Sequence, residues 1–93
     1  MDTILPLYDP EAYRFHSVSE FQESVRYGSE IVIEWQGIEV GIWPEKGIVR
    51  LTRSDLPGQE WFFENADEVL DYQIGSDRLG DVITKAEVLD RLL

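Results

Sequence analysis

Acidic side chains are the residues of this sequence that could do chemistry, and two pairs of them have spacings that bring carboxyl groups together. Glu34 and Glu39 flank a Gln-Gly turn, so a hairpin with a two-residue turn places them opposite each other. Asp77 and Asp81 are four residues apart, which puts them on one face of a helix. Paired carboxyl groups can act as general acid and general base, as they do in glycosidases. A domain of 93 residues offers little cleft for such a reaction, so a small carboxylate-based enzyme is kept as a second alternative only.

Other catalytic and metal-binding arrangements have less support. His16 is the only histidine, cysteine is absent, and the sequence contains neither a GxSxG motif nor a glycine-rich phosphate loop. Carboxylates at Asp67, Asp71, Asp77 and Asp81 could bind a cation, but their spacing does not match an EF-hand loop. We therefore predict no catalytic residue, no metal site and no cofactor, and we expect that the protein is not an enzyme.

The charge balance restricts the partners. Nineteen acidic residues against eight basic ones give a formal net charge of −11. Such a field repels nucleic acids and anionic membranes, and it speeds encounter with basic proteins, although it also keeps a small protein soluble. Aromatic residues near Arg50 and Arg53 could stack on bases. Two arginines in this field would not attract a polyanion, however, so we predict no direct binding of nucleic acid.

Composition also predicts a single cytoplasmic domain over residues 1–93. No apolar run approaches the roughly 20 residues of a membrane helix, and the first residues carry acids and prolines instead of the pattern of a signal peptide. The lack of cysteine is typical of a reducing compartment. We expect residues 1–14 to form an extended segment that packs on the body of the protein, because they include the apolar residues Ile4, Leu5, Leu7, Tyr8 and Tyr13.

A helix and a hairpin begin the predicted fold. Ser17 and Glu20 match a capping box, and Gly28 matches a C-terminal cap, so we place the helix at about residues 18–27. The hairpin that follows pairs Trp35 with Ile38, and its alternation puts apolar side chains on one face. The residues predicted for the core side of the sheet are Ile31, Ile33, Trp35, Val40, Ile42 and Leu51.

Two more strands and further helices complete the prediction. Residues 48–53 and 59–64 extend the hairpin to a four-stranded antiparallel meander, and the aromatic run in 59–64 leaves the register of the last strand open. Asn65 begins a second helix, and Thr84 with Glu87 marks the start of a final helix through Val88, Leu89 and Leu92. The predicted fold class is α+β, a two-layer domain with the C-terminal helices packed on one face of the sheet.

Two stretches of this sequence are similar to a known group of proteins. The text "FHSVSEFQESVRYGSEIVIEWQGIEVGIWPEKG", followed by "FENADEVLDYQIGSDRLGDVI", resembles a loose group of small, acidic, uncharacterised proteins of Gram-positive bacteria and their phages. The matching positions, in about residues 15–83, are helix caps, turns and core residues. The resemblance implies a bacterial or phage origin and an α+β fold, and it implies no activity.

The hairpin register also defines a candidate binding surface on the side of the sheet opposite the core. An apolar centre with a tryptophan and a charged rim is typical of protein interfaces, and a partner's Lys or Arg between the two glutamates would relieve their repulsion. We predict a protein-interaction module for a basic partner, of the inhibitor, immunity, antitoxin-like or phage-modulator class. The predicted surface residues are Trp43, Val32, Ile48, Glu34, Glu39 and Arg50.

Two alternatives stay open for the same surface. Residues 1–14 could fold over it, or two copies of the chain could associate through it, which would make the protein a small homo-oligomeric structural domain. In either case Glu34 and Glu39 would be a solvent-side pair that costs a few tenths of a kcal/mol. Arg53 or another base could then bridge the two carboxylates.

Overall fold

The chain forms an α+β structure in which short helices cover one face of a five-stranded antiparallel sheet. A computed structural model describes residues 13–92. The elements are α1 (Val18–Arg26), β1 (Glu30–Trp35), β2 (Ile38–Glu45), β3 (Ile48–Arg53), β4 (Glu60–Phe63), α2 (Ala66–Val69), β5 (Gln73–Ile74), β6 (Asp77–Arg78), α3 (Leu79–Val82) and β7 (Glu87–Leu92). The predictions for residues 1–12, namely their packing on the body and their covering of the sheet, lie outside the described residues.

The first helix has the caps that its sequence predicts. The Ser17 hydroxyl accepts a hydrogen bond from the Glu20 amide at 3.0 Å, and the Glu20 carboxylate accepts one from the His16 amide at 2.7 Å. Gly28 ends the helix with φ of 85°, a conformation that favours glycine. The helix buries Phe21 and Val25 against the sheet.

The hairpin has the register that its alternation predicts. Trp35 pairs with Ile38, and Glu34 pairs with Glu39. Both turn residues, Gln36 and Gly37, have positive φ, as the type I′ turn of a tight hairpin requires. The predicted pairing of the two glutamates is therefore confirmed.

The prediction of a four-stranded sheet and a C-terminal helix is wrong. The strand order is β4-β3-β2-β1-β7, so a fifth strand flanks β1 on the side away from the meander. That strand is Glu87–Leu92, the segment that the Thr84 and Glu87 cap signal assigned to a helix. An unpaired edge of β1 would leave its backbone groups without partners, and pairing with Glu87–Leu92 satisfies them.

The core lies between the helices and the inner face of the sheet. Five of the six predicted core residues are fully buried, and Trp35 is half-buried at the edge of the same cluster. Val49 and the side chains of α2 and α3 join them. In β4, Trp61 and Phe63 pack on this inner side, whereas Phe62 is 57% exposed on the other, which resolves the register that the sequence left open.

The remaining helices are shorter than predicted. Asn65 caps α2 by accepting a hydrogen bond from the Glu68 amide at 3.0 Å, but the helix ends at Val69. The apolar stretch after residue 78 forms α3, of four residues. Between α2 and α3, a two-stranded ribbon of β5 and β6 joins the helical layer to the sheet, since the Trp35 indole donates to Asp77 at 2.9 Å.

Candidate functional site: the outer face of the sheet

The outer face is the side of the five-stranded sheet opposite the core, and its side chains form three cross-strand rows. The aromatic row is Phe62, Arg50 and Trp43, which are direct neighbours on β4, β3 and β2. The middle row is Glu60, Thr52, Gly41, Val32 and Asp90. The acidic row is Glu39, Glu34 and Glu87, on β2, β1 and β7.

The aromatic row is held by a network of charged contacts around Arg50. Its guanidinium donates to Glu45 at 2.7 Å and to Glu60 at 3.2 Å, and it lies 5.8 Å from the centre of the Trp43 ring, within cation–π range. The hydrogen bond to Glu45 raises the pKa of Arg50 further above its usual value. The arginine therefore has its two carboxylate partners within the chain.

Trp43 has a fixed position because Thr52 holds its indole and Gly41 leaves room for its ring. The indole Nε1 donates to the Thr52 hydroxyl at 2.9 Å. The ring lies against Gly41, where an added Cβ would sit 2.5 Å from the ring carbon Cζ2. A residue with a side chain would displace the ring, so this is a position where a strand interior needs glycine.

A hollow opens beside the Trp43 ring, and Glu39 of the acidic row lines it. We call it the Gly41 hollow, and its volume is about 300 Å³. The complete lining is Val32, Glu39, Gly41, Trp43, Thr52, Arg53 and Ser54.

The acidic row places three glutamates side by side. Glu34 is the direct cross-strand neighbour of Glu39 on one side and of Glu87 on the other. Among residues 13–92, neither Glu34 nor Glu39 forms an ion pair through its carboxylate, and the contact made at Glu39 is between its backbone amide and the Ser54 hydroxyl. Like charges in adjacent strand positions repel, so the pair of Glu34 and Glu39 concentrates negative charge that has no cationic partner among residues 13–92.

The balance of charge on the whole outer face is strongly negative. Two acidic positions on β1, two on β2, one on β4 and two on β7 make seven carboxylates, against one arginine on β3, within the described strands. The seven are Glu30, Glu34, Glu39, Glu45, Glu60, Glu87 and Asp90. Since Arg50 neutralises part of the Glu45 and Glu60 end, the excess lies toward β1 and β7.

Arg53 does not bridge the two glutamates, contrary to one of the alternatives above. Arg53 pairs with Val40 on β2, and both residues are at positions that face the inner side of the sheet. Its guanidinium donates to both carboxylate oxygens of Asp55, at 2.9 and 2.7 Å, and to the Tyr72 hydroxyl at 3.0 Å. The bond to Asp55 raises the pKa of Arg53, and the same bond lowers the pKa of the Asp55 carboxyl. Although Arg53 touches the hollow, its charge is already compensated.

Ile48 lies apart from the other predicted surface residues. It is at the turn between β2 and β3, 36% exposed, beside a second groove of about 310 Å³. That groove runs between the end of α1, this turn and the start of α2, and Arg26 and Asp67 face each other across it at 3.9 Å. The structure therefore brings Trp43, Val32 and Glu39 together around one hollow, with Glu34 and Arg50 adjacent, and leaves Ile48 outside it.

The other acidic candidates have local partners. Asp77 accepts the Trp35 hydrogen bond described above, whereas Asp81 pairs with Arg78 at 3.2 Å. Arg78 also binds Asp71 at 3.1 Å. Over residues 13–92, no group of three or more His, Cys, Asp or Glu side chains has a geometry that could hold a metal ion.

Sequence reasoning missed the part of the site that belongs to β7. Glu87 and Asp90 were assigned to a helix, so the acidic row has one more member than the hairpin alone predicts. It also missed that Thr52 holds the Trp43 indole. The pairing of Thr52 with Gly41 follows from extending the alternation to the third strand, so the sequence alone could have placed Thr52 beside Trp43.

Comparison with known proteins gives no relative from which a function could be proposed. No family model matches the sequence, and neither the curated proteins nor the solved structures give a match. The similarity to small acidic proteins of bacteria and phages therefore stays a prediction. Among the helices of residues 13–92, none is both long enough and apolar enough to cross a membrane.

Proposed function

We propose that the protein is a non-enzymatic interaction module that binds a basic protein partner through the outer face of its sheet. The observation that carries the proposal is the acidic row, in which Glu34 and Glu39 are adjacent and have no cationic partner among the described residues. A basic partner would convert their repulsion into attraction. The free energy gained on binding would then include relief of strain in the free protein.

The neighbouring apolar surface supports the same face. Trp43 and Val32 border the Gly41 hollow within the negative rim, and tryptophan is among the residues enriched at binding hot spots. Charges around such a centre steer a partner of opposite sign and align it. A partner with basic side chains around one apolar contact matches this arrangement.

The same charges disfavour self-association through this face. A two-fold dimer places the same patch of both subunits together, so a face with an excess of carboxylates over arginine would meet an identical face. Like-charge juxtaposition across an interface costs several kcal/mol. The outer face is therefore better suited to a basic partner than to a second copy.

The proposal is tested by NMR titration of the full chain with a pentalysine peptide at low salt, with pentaglutamate as the control peptide. We expect pentalysine to shift amides of β1, β2 and β7 near the acidic row, and raising the salt to weaken the interaction. Pentaglutamate should leave these amides unchanged. Equal shifts on α1 and on the outer face, or none at all, would contradict the proposal.

Two charge-matched double variants locate the binding. Glu34→Gln/Glu39→Gln removes two charges from the acidic row, and Glu23→Gln/Glu68→Gln removes two from the helical side. We expect the first to weaken pentalysine binding by several-fold and the second to change it little. Equal weakening by both would show that only the net charge matters.

A further inference from the structure

The outer face holds two sets of carboxylates, and within residues 13–92 one of the sets binds an arginine and the other does not. On the first side, Arg50 lies beside the indole and binds Glu45 and Glu60, which come from different strands. On the second side, Glu34 and Glu39 also come from different strands, and Glu39 lines the Gly41 hollow together with Trp43. Arg50 thus shows how an arginine beside this indole can bind two carboxylates from different strands.

We propose that the Gly41 hollow and the acidic row form a socket for one arginine side chain of the partner. This inference rests on the proposed function, and it names the group that is recognised. The guanidinium would lie between Glu34 and Glu39, and the aliphatic stem would lie over Val32, beside the Trp43 ring that covers Gly41.

The chemistry of the socket favours arginine over lysine. A guanidinium is planar, binds carboxylates through two parallel hydrogen bonds and stacks on aromatic rings, whereas an ammonium is a compact, strongly hydrated charge. Glu39 offers a carboxylate and Trp43 offers an aromatic ring, and both line the same hollow. The stem needs apolar contact, which Val32 supplies.

The shape of the socket is already formed before binding. Thr52 holds the indole by its 2.9 Å hydrogen bond, and the lack of a side chain at Gly41 lets the ring lie against the strand there. Among residues 13–92, the cation that lines the hollow is Arg53, and it is bound by Asp55 and Tyr72. It therefore neither repels an incoming arginine effectively nor occupies the site itself.

Three peptides of the sequence Gly-Lys-X-Lys-Gly test the socket, with arginine, lysine or citrulline at X. Citrulline has nearly the shape of arginine and no charge. By NMR titration of the full chain, we expect the arginine peptide to bind about tenfold more tightly than the citrulline peptide, from one cation–π contact and one ion pair at partly exposed positions. The lysine peptide should lie between them. The Trp43 indole N–H and the Gly41 amide should shift most with arginine.

A variant without change in charge separates the socket from general attraction. Thr52→Val removes the hydrogen bond to the indole, and we expect it to reduce the preference for arginine over lysine while pentalysine still binds. If pentalysine binds the outer face but the three peptides bind equally, the socket is refuted and the proposed function stands. If no basic peptide shifts this face, both are refuted. Contacts between residues 1–12 and Trp43 in the free protein, seen as nuclear Overhauser effects, would refute the socket by showing it filled.

Discussion

Replacing Glu34 by glutamine should make the free protein more stable. Glu34 is the central member of the acidic row, with Glu39 on one side and Glu87 on the other. Its carboxylate has no hydrogen bond or ion pair within residues 13–92. Glutamine keeps the size of the side chain and removes the charge, so the substitution relieves repulsion and loses no described contact.

The expected size of the effect follows from the cross-strand geometry. Directly opposed side chains have Cβ atoms about 5 Å apart, and like charges there destabilise by about 0.2 to 1 kcal/mol per pair. The repulsion between Glu34 and Glu39 therefore gives up to about 1 kcal/mol for Glu34→Gln. For a domain of this size the melting temperature should rise by up to about 5 °C. Glu39→Gln removes the same repulsion and should give a similar increase.

Thermal unfolding followed by circular dichroism measures the effect, and Glu30→Gln is the matched control. Glu30 lies on the same strand and face but outside the acidic row, so its substitution changes the net charge equally and should leave the melting temperature within about 3 °C of wild type. In 1 M salt the Debye length falls to about 3 Å, and the gain from Glu34→Gln should shrink. An equal rise for Glu30→Gln, or a loss of stability in Glu34→Gln, would refute the reasoning.

Three further substitutions test other parts of the structure. Thr52→Val should lower the free energy of unfolding by about 1 kcal/mol, since it leaves the half-buried Trp43 indole without its acceptor; urea denaturation measures this, and an unchanged midpoint would contradict it. Ser29→Ala should be neutral or stabilising in the same assay, because the Ser29 hydroxyl is fully buried and has no hydrogen-bond partner in the described part of the chain; a loss above about 1 kcal/mol would reveal an unseen partner. Glu20→Gln should be less stable than wild type at neutral pH, because the His16 amide and then Arg91 lower the pKa of Glu20 below its usual 4.5. That stabilisation is present above pH 4.5 and is lost as the pH falls through the folded pKa of Glu20. The melting temperatures of wild type and Glu20→Gln should therefore converge in acid. A difference that stays constant with pH would contradict this role of Glu20.

The hairpin was predictable because its pattern leaves little choice. Alternation over β1 and β2 puts Ile31, Ile33, Val40 and Ile42 on one face, and a slip by one residue would expose all of them. The pairing of Glu34 with Glu39 follows from that register alone. Most of the candidate surface was therefore available from two strands and one turn.

The fifth strand was not predictable from its own residues. Val88, Leu89 and Leu92 fit a helical face, and a short apolar run cannot be assigned to helix or strand by periodicity alone. What decides is the free edge of β1, a tertiary feature. The register shift opposite Val32 and Ile33 also breaks the alternation, since Leu89 stands outside the regular pairing and is 39% exposed. The third glutamate of the acidic row could not be placed without this strand.

The two halves of the outer face differ in how much must change on binding. Around Arg50 the charges are already matched within the chain, so a partner gains little there and would have to disrupt two hydrogen bonds to compete. Around Glu34 and Glu39 the charges are unmatched, while the adjacent ring is already held by Thr52. Binding at the second half therefore orders few side chains and relieves a repulsion, and both effects increase the net affinity from a small contact area. For this reason we expect a partner's anchoring residue to bind at the acidic row. Phe62 and Ile48 expose more apolar surface, but they lack this unmatched charge.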